Sequence, residues 1–129
     1  MQAILFDVDD TLFDRQGAQL GVLDVILREC GEAFVGIDRR TIVEAFLESD
    51  RVTTWQYYGE TYTIEGIRLQ RQRVFLELLG LDAAYAEELS EVYIEWYPRM
   101  DAPVEGAKSV VAALAQLLPL GIVSNGLPD

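Results

Sequence analysis

The sequence predicts an α/β fold: part of a parallel sheet with a long, all-helical segment inserted into it. Three observations carry this expectation. Residues 3–6, Ala-Ile-Leu-Phe, form an unbroken apolar run that stops abruptly in Asp7-Val8-Asp9-Asp10-Thr11. Residues 120–123, Leu-Gly-Ile-Val, form a second such run, which ends in Ser124-Asn125-Gly126. Between residues 17 and 100 the apolar positions recur at helical spacing, and no convincing strand interrupts them. Short continuous apolar runs suit strands buried on both faces, as in a parallel sheet. The two are separated by more than a crossover of about a dozen residues, so they can lie parallel.

The elements between the runs follow in order. Leu20, Leu23 and Leu27, with Val22 and Ile26 beside them, predict a first helix. Asp38 is placed to cap a second, whose buried face is Ile42, Val43, Phe46 and Leu47. Thr63 is placed to cap a third, with Ile67, Val74, Phe75, Leu78 and Leu79 inward and Gly80 as its stop. Asp82 is placed to cap a fourth, with Tyr85, Leu89, Val92, Tyr93 and Trp96 inward, ending before Pro98. After Pro103 the residues Ala107, Val110, Val111, Leu114, Leu117 and Leu118 predict an amphipathic helix that Pro119 stops. The expected division is an α/β core from residues 1–14 and 98–129, and a helical cap from 15–97.

Composition removes several classes of function. The 129 residues include 22 acidic and 10 basic side chains and no histidine, for a net charge of −12. A Ser-His-Asp triad, a Cys-His pair and a histidine-bearing zinc site are therefore excluded. The acidic balance argues against nucleic acid or an anionic membrane surface as a general partner. Cys30 is the single cysteine and makes no intrachain disulfide, which suits a reducing cytosol. The start of the chain does not read as a signal peptide. The best apolar stretch, residues 110–123, is broken by Gln116, Pro119 and Gly121 and is too short to span a bilayer. A cytoplasmic location is the expectation.

In open α/β sheets, ligands bind beyond the carboxyl ends of the strands. Both runs end in polar clusters, so Asp7, Asp9, Ser124, Asn125 and Gly126 are expected on one edge. If the extended geometry persists for one residue beyond the strand, Asp7 and Asp9 point to the same side. Two close carboxylates are costly without a cation or a shared proton. Oxygen-only donors favour a hard ion such as Mg²⁺, which could also bridge a phosphate. One carboxylate could attack phosphorus, and the other could protonate the leaving oxygen and later activate water. Ser124 offers a hydroxyl, and a turn at Asn125-Gly126 can aim backbone N–H groups at an anion.

The segment Ile4-Leu5-Phe6-Asp7-Val8-Asp9-Asp10-Thr11-Leu12-Phe13-Asp14 resembles the first signature motif of the haloacid dehalogenase-like hydrolases. Gly121-Ile122-Val123-Ser124-Asn125-Gly126 resembles their second. The spacing is similar to that of members whose helical cap follows the first strand, a group that includes phosphoglycolate phosphatases and nucleotidases. Residues 55–81, with Gly59, Arg71 and Phe75, are loosely similar to the caps of the nucleotidase and sugar-phosphate phosphatase branch. The resemblance implies a Rossmann-like core and hydrolysis of small phosphate monoesters through an aspartyl-phosphate. It implies Asp7 as nucleophile and Mg²⁺ ligand, and Asp9 as general acid-base and, through its carbonyl, a second ligand. Ser124, Asn125 and Gly126 would hold the phosphoryl group. The dehalogenase branch carries a non-acidic residue where this chain has Asp9, so the resemblance favours phosphate esters over carbon–halogen bonds. The phosphonate-cleaving branch needs a cap lysine, and the only lysine here, Lys108, lies beyond the cap.

Family members also carry a lysine and then an acidic pair downstream of the second motif. Residues 127–129 contain no counterpart, and Lys108, read as a solvated helix residue, precedes that motif. The chain is therefore expected to be a fragment of a longer phosphatase, with little turnover by itself. The alternative is a family-like protein that binds phosphate or a partner without catalysis. A phospho-accepting receiver domain is disfavoured because residues 17–100 do not alternate strand with helix. The expected substrate is a small phosphorylated metabolite of the nucleotide, sugar-phosphate or phosphoglycolate type. Arg68, Arg71 and Trp55 are the residues whose place in the cap decides whether it reads the substrate. The blander expectation makes the arginines solvated or ion-paired and Trp55 part of the core.

Overall fold

A computed structural model of the chain describes residues 2–58 and 63–125; of Tyr57 and Tyr58 only the backbone is described. The elements run β1 (Ile4–Phe6), α1 (Arg15–Glu29), α2 (Arg39–Tyr58), α3 (Ile64–Leu78), α4 (Ala86–Trp96), α5 (Ala107–Ala115) and β2 (Leu120–Ile122). They divide into two compact units, one of residues 1–19 and 100–129, the other of residues 20–99. No helix among the described residues is long and apolar enough to cross a membrane.

The first unit holds the sheet. β1 and β2 pair in parallel, with Ile4 opposite Leu120, Leu5 opposite Gly121 and Phe6 opposite Ile122. The Ile4 amide donates to the Pro119 carbonyl at 3.0 Å, and the Val123 amide donates to the Phe6 carbonyl at 2.9 Å. Hydrogen bonds thus continue past both ends of the three-residue strands. The strands are not buried on both faces as the apolar runs predict: Leu5 and Ile122 are each 65% exposed. Among the described residues, a pair of short strands has too few neighbours to cover both faces. Gly121 sits where Leu5 crosses it, and a Cβ there would come within 2.8 Å of the Leu5 side chain. α5 ends at Ala115, with turn bonds from Leu117 and Leu118 back to Leu114.

The second unit is helical, and its boundaries are set by local chemistry. Asp38 caps α2: its carboxylate accepts from the Thr41 amide at 3.0 Å and from the Thr41 hydroxyl at 2.7 Å. Thr63 caps α3 by accepting from the Gly66 amide. α3 stops where the chain turns left-handed at Gly80, φ +68°. Gly80 donates to the Glu77 carbonyl and Leu81 to the Leu76 carbonyl, which fills two of the orphan acceptors at the helix end. Asp82 accepts from the Ala84 amide and opens a short 3-10 turn that leads into α4.

The core of this unit is Val22, Leu23, Ile26, Phe34, Phe46, Ile67, Phe75, Leu76 and Leu89, all nearly inaccessible. The Phe75 ring lies 5.6 Å from Phe34 and 5.2 Å, edge-on, from Phe46. The α3 stripe runs through Ile67, Arg71, Phe75 and through Gln72, Leu76. Leu78, expected inward, falls off that stripe and is half exposed, and Leu76 takes the buried place. Trp55 is 71% exposed on α2, which overturns its assignment to the core.

Candidate active site

The parallel register brings the carboxyl ends of β1 and β2 to one edge. Extending the pairing by one residue sets Asp7 opposite Val123, with Ser124 and Asn125 following directly. Asp7, Ser124 and Asn125 are exposed, as a site open to substrate requires. Gly126 lies outside the described residues.

The chain beyond Asp7 does not stay extended. The Val8 carbonyl accepts from the amides of Thr11, Leu12 and Phe13 at 3.2, 2.9 and 3.0 Å. The Asp10 amide donates to the Phe13 carbonyl at 2.7 Å, and Asp10 takes a left-handed φ of +58°. Asp9 therefore sits between the last ladder bond of the strand and a tight turn. It is half-buried, whereas Asp7 and Asp10 are exposed. Asp7 and Asp9 would share a side only on extended backbone through Val8, and the turn begins at that residue.

The loop is tied down at its far end. The Val104 amide donates to the Leu12 carbonyl at 3.0 Å, and the Asp14 amide donates to the Ala102 carbonyl at 2.7 Å. Asp14 then opens α1, accepting from the Gly17 amide at 2.9 Å on its side chain and from the Ala18 amide on its carbonyl. A Cβ at position 17 would run into that carboxylate, so Gly17 permits the close approach. Asp14 as helix cap is a role that the motif reading missed. For Asp14 the signal was present: an aspartate directly before a helix start.

The donor chemistry at the end of β1 fits a hard cation in part. The Asp7 carboxylate and the Asp9 carbonyl are oxygen donors, and among the described residues the Asp9 carbonyl accepts no backbone hydrogen bond. Among the described residues no group of three or more acidic, cysteine or histidine side chains is gathered to hold a metal ion. An ion held here by these residues would take its remaining ligands from water and the substrate, as Mg²⁺ commonly does. Lys108 is turned to an exposed ion pair with Asp101, 3.4 Å away.

The family model for haloacid dehalogenase-like hydrolases matches residues 1–129, so the chain belongs to that family. Its fold is similar to that of the HAD-hydrolase YfnB from Bacillus subtilis, solved bound to magnesium. The TM-score is 0.79 at 21% identity, covering 98% of this chain and 53% of that one. It is also similar to L-2-haloacid dehalogenase from Xanthobacter autotrophicus, solved with chloropropionic acid covalently bound. There the TM-score is 0.54 at 21% identity, covering 100% of this chain and 48% of that one. The chain thus spans about half the length of these solved structures. Among curated protein sequences none matches.

Proposed function

We propose that the whole protein, a hydrolase by family, cleaves small phosphate monoesters with Mg²⁺ through an aspartyl-phosphate. The observation that supports this most is the parallel pairing of β1 with β2, which sets Asp7-Val8-Asp9 beside Ser124-Asn125 at one sheet edge. When bound, Mg²⁺ would offset charge between the carboxylates and the phosphate; Asp7 and the Asp9 carbonyl are the groups to hold it.

A carboxylate oxygen of Asp7 attacks phosphorus, and the bond from phosphorus to the ester oxygen breaks. The protonated Asp9 carboxyl gives its proton to that oxygen as the alcohol leaves. Asp9, now a carboxylate, takes a proton from water, which attacks the acyl phosphate. Inorganic phosphate departs and both side chains return to their starting state. The Ser124 hydroxyl donates to a phosphoryl oxygen, with Asn125 beside it.

Asp9 is also what separates this reading from carbon–halogen cleavage. An alkoxide is a poor leaving group and needs a proton; a halide does not. An acid two residues after the nucleophile serves the first departure and has no proton to give in the second. The partner is then a small phosphorylated metabolite, of the nucleotide, sugar-phosphate or phosphoglycolate type, rather than nucleic acid or a membrane. The buried, unpaired thiol of Cys30 supports a reducing, cytoplasmic setting.

The test is a phosphate-release screen over those three substrate groups on the whole protein, with and without Mg²⁺, and a chloride-release assay on a 2-haloacid. Metal-dependent phosphate release that vanishes in Asp7→Ala is the expected result. Chloride release without phosphate release would overturn the reading.

A further inference from the structure

We propose that Asp10 is a positioning residue for Asp9, acting through its left-handed backbone rather than through its charge. The inference rests on the reading of Asp9 as the acid-base group. Asp10 is the one non-glycine residue with positive φ among the described residues, at +58°. Side chains bearing a Cβ avoid that region, with asparagine and aspartate the most tolerant and β-branched residues the least. Such outliers persist where their surroundings impose them, and they gather at functional sites. Here the surroundings are explicit. The Asp10 amide is bound to the Phe13 carbonyl, the Val8 carbonyl takes three amides, and residues 12 and 14 are fixed to 104 and 102. The chain must reverse within one residue of Asp9, and Asp10 makes that reversal. Asp9 is thereby held between the end of the β1–β2 ladder and a closed turn.

The test uses three substitutions in the whole protein, assayed on an alkyl phosphate with Mg²⁺. Asp10→Gly keeps the conformation without a side chain. Asp10→Asn keeps the shape without the charge. Asp10→Val opposes the conformation; Asp10→Ala, a milder version, replaces it if the valine variant does not fold. The glycine and asparagine variants are expected to keep kcat within about threefold. The valine or alanine variant is expected to lose about 10- to 100-fold in kcat with little change in KM, the scale of effect that a small misplacement of a catalytic group produces. Amide hydrogen exchange at Leu12 and Phe13 should accelerate only in the valine or alanine variant, a readout independent of turnover. A loss in Asp10→Asn as deep as in Asp10→Val would show that the carboxylate matters, and the inference would be wrong. Unchanged activity in Asp9→Asn would instead remove the reading of Asp9, and this inference with it.

Discussion

The guanidinium of Arg71 lies 2.9 Å from the Asp50 carboxylate and ties α3 to α2 inside the helical unit. The two side chains are only 9% and 12% exposed. A second Arg71 nitrogen donates to the Tyr93 hydroxyl at 3.3 Å, and the guanidinium lies 5.5 Å from the centre of that ring. Arg71 therefore spends its charge on the interior of its own unit. Removing it leaves Asp50 without that partner, and breaking a buried pair costs about 3–5 kcal/mol. Arg71→Ala is expected to lower the urea unfolding free energy by that order. Asp50→Leu combined with Arg71→Met should cost less than the two single losses added, because neither charge is then stranded. Additive losses in that cycle would show that the pair is not coupled.

Arg71 also shows where the sequence was legible and where it was not. It stands four residues after Ile67 and four before Phe75, so helical phase alone points it inward. Charge argues the opposite, and only the position of Asp50 on another helix settles the matter. Helix starts at Asp38, Thr63 and Asp82 and the stop at Gly80 were readable because capping is local chemistry. The parallel pairing of the two apolar runs was readable from their length and separation. The exposure of Leu5 and Ile122 was not, since apolar runs report a preference for burial and not what covers them. The turn at Asp10 carried no glycine to announce it. Its left-handed backbone becomes visible only once the Val8 and Phe13 carbonyls have their donors.

Gly80 offers a clean test of backbone cost. A Cβ built there meets nothing within 4 Å, so a side chain has room. Its φ of +68° is what a side chain resists. Gly80→Ala should therefore destabilise the helical unit by about 1 kcal/mol through conformation alone. Denaturant unfolding should show a lower midpoint with an unchanged slope. A stabilised Gly80→Ala protein would contradict the left-handed helix stop.

Cys30 should be chemically silent. Burial, aided by the neighbouring Glu88 carboxylate, pushes its thiol up to about 11, so at neutral pH the reactive thiolate is scarce. A thiol reagent should label the folded protein far more slowly than the urea-unfolded protein. The pH dependence has a definite sign. A raised folded pKa means that the stabilising contribution is complete below the unfolded value, near 9, and is lost as pH rises towards about 11. Cys30→Ser should lack that alkaline component. Fast labelling of the native protein would contradict the buried thiol.

Asp38 acts at the opposite end of the pH scale. The Thr41 hydroxyl and the Thr41 amide hold its carboxyl below the usual carboxylate range. A depressed folded pKa contributes stability that is present above the unfolded value, about 4, and is lost as pH falls through the folded value. Asp38→Ala should be less stable than wild type at neutral pH, and the gap should narrow below about pH 4. Asp38→Asn, which can still cap, should fall between them at neutral pH. Unfolding free energies measured across that range give the comparison, and a gap that widens in acid would reject the capping account.

The two aspartates of the proposed site should fail in different ways. Asp7→Ala removes the nucleophile, so phosphate release by the whole protein should fall to background, and Asp7→Asn should come close to it. Asp9→Asn leaves the nucleophile and the backbone carbonyl at position 9 in place. What it removes is the proton for the leaving oxygen, a contribution of about 10²–10⁴ in rate. The size of that loss should depend on the leaving group. An alkyl phosphate, whose alkoxide needs protonation, should suffer most. An aryl phosphate bearing electron-withdrawing groups, whose phenolate leaves unaided, should suffer least. KM should change little for either ester, because Asp9 acts on the departing oxygen in the transition state. The measurement is kcat for a series of phosphate esters of graded leaving-group acidity, in wild type and in Asp9→Asn. A steeper dependence in the variant is the expected result. Parallel lines would mean that Asp9 does not protonate the leaving group, and the assignment would have to be withdrawn even if Asp7→Ala is dead.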